Sequence, residues 1–244
     1  MLPEIDLKGQ QALLSARVLI IGIGGLGSPV ALYLSACGVG HICIADPDKV
    51  ELTNLQRQIA HSENSLGLDK VSSCKNSMSA LNHEVEIRTL ETALEGELLL
   101  KEVARADIVV DCTDNLTTRF AINKACVINT TALVSAASIR WEGQITVFHP
   151  GLKGSPCYHC FHQEENSNGE PRELEQTCAK NGILGPVVGV MGSMQAIEVV
   201  KIITQSGDTL LGRVLLFDAL TMQWESMILP PNPDCKICGN LTNN

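Results

Sequence analysis

Aromatic residues are scarce in this chain, and basic residues are outnumbered. Phe, Trp and Tyr together make up 3% of the 244 residues while hydrophobic residues reach 45%, so the core must be built from aliphatic side chains. The 18 Lys and Arg face 27 Asp and Glu, a formal charge of −9, which argues against a sequence-independent grip on nucleic acid or anionic lipid. A local basic patch could still hold a nucleotide. No targeting segment is legible at Met1, so the expectation is a cytoplasmic protein. Residues 18–45 form an uncharged run long enough to suggest a membrane span. Five glycines between Gly22 and Gly38, Pro29 and two separate strand-like ends break it up, and no membrane partner is expected. The length suits one large α/β domain with a well-buried core.

Cysteine, by contrast, is plentiful. Four of the ten stand in two pairs, CYHC at 157–160 and CKIC at 235–238. Two such knuckles bring four thiolates to the corners of a tetrahedron, the geometry Zn²⁺ accepts from sulfur. A metal at Cys157, Cys160, Cys235 and Cys238 would pin the end of the chain to its middle. Two disulfides are the alternative for this spacing. They are disfavoured by the absence of a secretory leader and by six further cysteines in apolar segments. His159 and His162 could each replace one sulfur as a ligand.

The first half reads as a nucleotide-binding unit. Residues 17–22 form a short apolar, β-branched run ending in glycine, as a buried parallel strand does. Gly22, Gly24, Gly25 and Gly27 then lead into a helix expected over 28–37, and a second strand is expected over 41–46. The glycines stand where backbone must approach phosphates at a helix N-terminus, and Asp46 closes the second strand where a carboxylate can accept from ribose hydroxyls. Alone, this unit would also suit an NAD-dependent oxidoreductase. The residues beyond Asp46 do not suit one. Asn54, Arg57 and Lys70, with Lys70 at the start of a helix running to about Leu81, could converge on the same phosphates; singly, Arg57 and Lys70 would read as solvated helix-end residues. A further strand, 106–111, delivers Asp114 to the carboxyl edge of the sheet, as a Mg²⁺ ligand or as the cap of a helix starting near Asn115.

In their order, GIGGLG at 22–27, Asp46-x-Asp48, NLQRQ at 54–58, Lys70, DCTDN at 111–115, the cysteine knuckles and GPVVGVMGSMQAIEVVK at 185–201 resemble the ThiF/MoeB/HesA family, which is related to the adenylation domains of ubiquitin-activating enzymes. The stretches at 136–147, 192–198 and 217–220 resemble the MoeB type, and GPVV at 185–188 the ThiF type. The resemblance implies a Rossmann-like α/β fold with a mostly parallel twisted sheet, an antiparallel C-terminal section and a four-cysteine zinc site. Residues 1–150 would be its nucleotide-binding half and 151–244 its carrier-binding and zinc half. It implies ATP, Mg²⁺ and Zn²⁺, and a reaction in which the C-terminal glycine carboxylate of a ubiquitin-like sulfur carrier (MoaD or ThiS type) attacks the α-phosphorus of ATP and releases pyrophosphate. Carried over residue by residue, Gly25 lines the phosphates, Asp46 holds the ribose, Asn54, Arg57 and Lys70 contact phosphates and Asp114 handles Mg²⁺. Gln56 and Asn115 complete the nucleotide site. Cys178 stands at the family's candidate sulfur-linked cysteine, with a bystander thiol as the alternative. A homodimer is implied, as is a separate sulfurtransferase or cysteine desulfurase as sulfur donor. Family members carry an Arg-Tyr-x-Arg-Gln-Ile segment just upstream of the first match; no counterpart is legible here, so adenylation is expected to be slow or the chain to act as a binding scaffold.

The remainder is read from pattern. Residues 161–175, with five glutamates and no apolar periodicity, are expected to form a surface loop. Gly185 and Pro186 open a long apolar helix to about Ile203 whose small residues would let another helix approach. Strands expected over 213–217 and 223–229 are read as a second sheet, presenting the carrier-binding surface.

Overall fold

The structure, a computed structural model, describes residues 2–162 and 182–239. Elements alternate from the start: α1 (Asp6–Ser15), β1 (Arg17–Ile21), α2 (Gly27–Ala36), β2 (His41–Ala45), α3 (Lys70–Leu81), β3 (Glu86–Leu90), α4 (Gly96–Val103), β4 (Ile108–Asp111), α5 (Leu116–Asn129) and β5 (Ala132–Ile139). After these come β6 (Glu142–Phe148), the short α6 (Tyr158–Phe161), the long α7 (Gly185–Thr204), β7 (Arg213–Asp218) and β8 (Gln223–Ile228).

The eight strands make one sheet, ordered β3-β2-β1-β4-β5-β6-β7-β8. The first five are parallel; β6, β7 and β8 each join antiparallel. The expected second sheet is therefore corrected. Strand β6 pairs with β5 from Leu133↔Phe148 to Ile139↔Glu142 and with β7 on its other side, so it carries the hydrogen-bond ladder across without a break.

Period-two alternation sends each central strand into two cores. Val18 and Ile20 of β1 join the cluster under α1, α2, α3 and α7, while Leu19 and Ile21 join that under α4 and α5. Strand β4 does the same with Ile108 and Val110 against Val109. Burial of each such aliphatic side chain contributes about 1.5–3 kcal/mol. The limits of the helices that the sequence reading placed agree to within a residue or two; α1, β3, α4, β5 and α6 were not anticipated. Strand β3, Glu-Ile-Arg-Thr-Leu, is a sheet edge with only Ile87 fully buried, which leaves a weak apolar signal.

Helix α7 is long and apolar enough to cross a membrane by length and composition. Here it lies on the sheet, burying Val187, Val188, Met191, Ala196 and Val199. Among its small residues, Gly192 serves the packing of this chain on itself. A Cβ on Gly192 would run into the Leu26 carbonyl oxygen and Pro29 at the start of α2, whereas one on Gly189 would meet nothing within 4 Å. Gly192→Ala is expected to destabilise by about 1–3 kcal/mol through overpacking, and Gly189→Ala to be stabilising by about 0.5–1 kcal/mol. Urea denaturation midpoints of the two variants check this.

Candidate functional site

The parallel strands reverse direction of progress between β1 and β4, and the sheet opens there at its carboxyl edge. A cavity of about 1180 Å³ occupies that position. The glycine loop between β1 and α2 forms its floor, and its glycines have different reasons to be bare. Gly22 holds a φ of +92° and lies under Cys112; a Cβ on Gly27 would strike the Gly22 carbonyl oxygen. A Cβ on Gly25 would come within 2.8 Å of Val188 Cγ2, so this glycine lets α7 close on the loop.

Ile23, inside the loop, is held from both ends. Its N–H donates to Asp46 Oδ2 at 2.6 Å, and its carbonyl oxygen accepts from His61 Nε2 at 3.2 Å. Since Nε2 must carry the proton for that bond, Nδ1 of neutral His61 accepts from the Ser73 hydroxyl at 2.9 Å. Asp46 Oδ1 accepts from the Asp48 N–H at 2.9 Å. Each Asp46 oxygen keeps a lone-pair direction for a further donor. Burial raises the Asp46 pKa, against the pull of Lys70 and of its two backbone donors.

Lys70, 8% exposed at the first turn of α3, pairs with Asp48 Oδ2 at 2.8 Å, while Asp48 itself is 64% exposed. Asn54 is buried and accepts from the Glu51 N–H; Arg57 Nη1 donates to the Thr53 carbonyl. Both line the cavity with Gly25, Asp46, Lys70, Asp114 and Asn115. Gln56 does not: it is exposed, and its carbonyl oxygen packs against Gly185. Gln58 takes the place on the wall, buried to 4%, with an Oε1 that has no partner. A buried acceptor without a donor, facing a cavity, fits a ligand that supplies one.

At the other wall Asp114 is exposed at the end of β4. It is not the helix cap: Asn115 Oδ1 accepts from the Thr118 N–H at 2.9 Å and fills that role. Beneath it the chain is tied down by charge. Asp111, 1% exposed, accepts from the Thr113 N–H and hydroxyl and from the Ser135 hydroxyl, and faces Arg119 Nη1 at 3.4 Å. Arg119 also donates to the carbonyls of Ala136, at 2.8 Å, and Thr113. Burial works against its charge, but the Asp111 carboxylate overrides this and raises its pKa. From α7, Gln195 donates to the Asp111 carbonyl at 2.8 Å.

The cavity continues past Tyr158 and His162 to Gln144 of β6, Phe217 of β7 and Glu225 of β8. Behind Tyr158 the four cysteines meet. Cys157 Sγ lies 3.9 Å from Cys160 Sγ and 3.7 Å from Cys235 Sγ, and Cys160 Sγ lies 3.5 Å from Cys238 Sγ. All four sulfurs fall within 4.8 Å of one another. A disulfide needs about 2.05 Å, whereas zinc with Zn–S bonds of about 2.3 Å sets tetrahedral edges near ~3.8 Å. The cluster fits the metal. The Cys157 thiol beside it and the N–H groups of Cys157 and Asn232 that it accepts from hold the pKa of the Cys160 thiol below the usual range. His159 Nδ1 is 3.8 Å from Cys235 Sγ, beside the four sulfurs rather than in place of one. Cys178 lies outside the described residues, as does most of the loop expected over 161–175.

Sequence reasoning passed over Gln58, His61, Arg119 and Tyr158. Arg119 carried the clearest signal, a charge in the run Arg119, Phe120, Ile122, Asn123 that forms the buried face of α5. His61 yields a pH test. Burial first, then Lys70, lower its pKa below the ordinary 6.5, against the Ile23 carbonyl and Asp46. A depressed folded-state pKa gives stability that is complete above the unfolded value and lost as pH falls through the folded one. Urea stability measured from about pH 8 down to about pH 5 should fall on the acid side. His61→Gln, which keeps an N–H for Ile23 but does not titrate, should flatten that part of the profile.

Residues 1–237 match the ThiF family. The Sulfur carrier protein ThiS adenylyltransferase of Escherichia coli K12 is 43% identical over 239 residues, covering 98% of this chain and 92% of that protein. The Molybdopterin-synthase adenylyltransferase of the same organism is 40% identical over 234 residues, covering 96% and 91%. The Adenylyltransferase and sulfurtransferase MOCS3 of Sus scrofa is 45% identical over 239 residues; the match takes in 98% of this chain and about half, 51%, of that relative. Among solved structures, E. coli MccB with ATP superposes with a TM-score of 0.82 at 27% identity, over 95% of this chain and 69% of that one. With a family match across nearly its full length and two E. coli relatives at 40% identity or more that it spans almost completely, the chain belongs to the ThiF family.

Proposed function

We propose that this chain adenylates the C-terminal glycine of a ubiquitin-like sulfur-carrier protein, using ATP and releasing pyrophosphate. The observation that carries the reading is the continuity of the cavity. It begins at the glycine loop, Asp46, Lys70 and Asp114, and runs on to Gln144, Phe217 and Glu225 at the antiparallel strands. One end suits a nucleotide and the other an extended polypeptide tail, with their reacting ends meeting between them. The names of the E. coli relatives, both adenylyltransferases, support the same chemistry.

In this reading a carboxylate, already ionised at neutral pH, attacks phosphorus on a polyanion, so no general base is required. Alignment and charge stabilisation supply the catalysis. The glycine loop, fixed by Asp46 and His61, presents backbone to the phosphates at the start of α2. Asp46 accepts from the ribose. Asn54, Arg57 and Lys70 face phosphate oxygens, and the Lys70 ammonium, buried beside Asp48, is a preformed positive charge. Mg²⁺, held from Asp114, would neutralise phosphate charge when bound. Strand β8 is exposed on both faces, with Trp224, stacked on Phe217 at 4.2 Å, and Ile228 on one side and Met227 on the other; the side that carries Trp224 and Ile228 would seat the carrier. Zinc at the four cysteines would brace that end.

We assign the molybdopterin-synthase small-subunit type as the carrier, on the MoeB-like stretches at 136–147, 192–198 and 217–220. The thiamine-pathway carrier is the second reading, favoured by 43% identity to the ThiS adenylyltransferase against 40% to the molybdopterin-synthase one. A sulfur donor, a homodimer and a cytoplasmic setting belong to the same proposal.

ATP–pyrophosphate exchange with each carrier separately decides it. Exchange with the molybdopterin-synthase carrier alone is the expected result; exchange with neither, despite ATP binding, would overturn the activity. Lys70→Ala should lower the exchange rate by about 10²–10³-fold if its charge is spent on the transition state, with the carrier's affinity, read by titration, unchanged.

A further inference from the structure

Of the two residues between the first pair of cysteines, Tyr158 does not face away from the nucleotide end. Tyr158, 3% exposed, lines the cavity, and its backbone N–H donates to Asn123 Oδ1 at 2.8 Å. Its ring meets Phe120 edge-on at 5.4 Å and 75°, and Phe148 at 6.0 Å and 81°. Phe120 and Asn123 belong to the first two turns of α5, the helix whose Arg119 is bonded to the Thr113 and Ala136 carbonyls and paired with Asp111. Thr113 precedes Asp114, and Asn115 caps the same helix. The cysteine knuckle and the Asp114 loop thus both grip the buried face of one helical segment, at Asn123 and Phe120 and at Arg119. The bonds from Tyr158 to Asn123 and from Arg119 to Ala136 are both buried.

The other two sulfurs arrive from residues 235 and 238, far along the chain. Without an ion, thiol contacts and the packing of Val127 and Ile237 are what hold the knuckles together. A bound metal fixes Cys157 and Cys160, and with them Tyr158, against α5. An empty cluster would leave Tyr158 less firmly held against Phe120 and Asn123, on the helical segment that carries Arg119.

We propose that the four-cysteine cluster and the Asp114 end of the cleft are thermodynamically coupled through Tyr158, Asn123 and Arg119, so that zinc and Mg·ATP each tighten the other's binding. These three act as positioning residues. The proposal rests on the nucleotide reading of the cleft. Coupling between sites is reciprocal and commonly amounts to about 5- to 150-fold in affinity.

The test uses the full chain, zinc-loaded and zinc-stripped, with far-UV circular dichroism to follow the fold. Stripping should weaken Mg·ATP, titrated calorimetrically, by about 5- to 150-fold. Saturating Mg·ATP should shift the equilibrium partition of zinc between protein and a chromophoric chelator toward the protein by the same factor. Asn123→Ala, which removes the hydrogen bond between the knuckle and α5 but leaves the sulfurs in place, should bind zinc and lose much of the coupling; Phe120→Leu, which weakens the ring contact instead, serves if that variant misfolds. An unchanged Mg·ATP affinity in a folded, stripped chain overturns the proposal. If stripping unfolds the chain, the partition arm decides, and no nucleotide effect on zinc retention overturns it. A loaded protein that binds no Mg·ATP would instead remove the nucleotide reading beneath it.

Discussion

The ion pair between Asp111 and Arg119 sits where every part of the site must be referenced. Both side chains are almost completely removed from water, at 1% and 5% exposure. Desolvating two charges is costly, and their attraction offsets that cost only when the remaining donors and acceptors are satisfied. Here they are. Asp111 takes bonds from Thr113 and Ser135, and Arg119 gives its remaining protons to the carbonyls of Thr113 and Ala136. The pair therefore welds the end of β4 and the middle of β5 to the first turn of α5. Removing either partner would strand the other's charge, a loss of about 3–5 kcal/mol, and would release the segment that carries Asp114.

An acidic chain that handles a polyanion needs its positive charge in the right place rather than in quantity. Lys70 illustrates this. Its ammonium is held near the cavity by Asp48, whose own carboxylate remains largely in water. The partner stands at the surface, where water screens it. The cation can then turn toward a phosphate without leaving a buried carboxylate unpaired.

The nucleotide half was the more legible in sequence, because glycine spacing, β-branched runs and helix starts are local signals. GIGGLG, the limits of α3 and α7 and the four-cysteine cluster emerge where spacing put them. What failed was non-local. Whether β7 and β8 form their own sheet depends on whether β6 keeps a free edge for β7, and nothing in residues 142–148 announces that pairing. Gln56 and Gln58 differ only in which side of a tight turn they fall on, and the sequence of the turn does not mark the side. The cap on α5 passed from Asp114 to its neighbour Asn115, one residue later, within the ordinary error of helix boundaries. His61 and Tyr158 are single polar residues whose partners lie far away in sequence, at Ile23 and Asn123. Such contacts are invisible until the fold brings them together.

The double hold on Ile23 changes how the glycine loop should be regarded. Glycine-rich segments are usually the most mobile backbone in a protein, and a ligand that orders one forfeits part of its affinity to lost conformational entropy. Here a carboxylate seizes the N–H and an imidazole the carbonyl of Ile23, inside the loop. Val188 closes over Gly25 from above. The ordering has been done by folding. A ligand arriving at this loop finds its shape already set, and can devote its contacts to alignment at the reacting atoms.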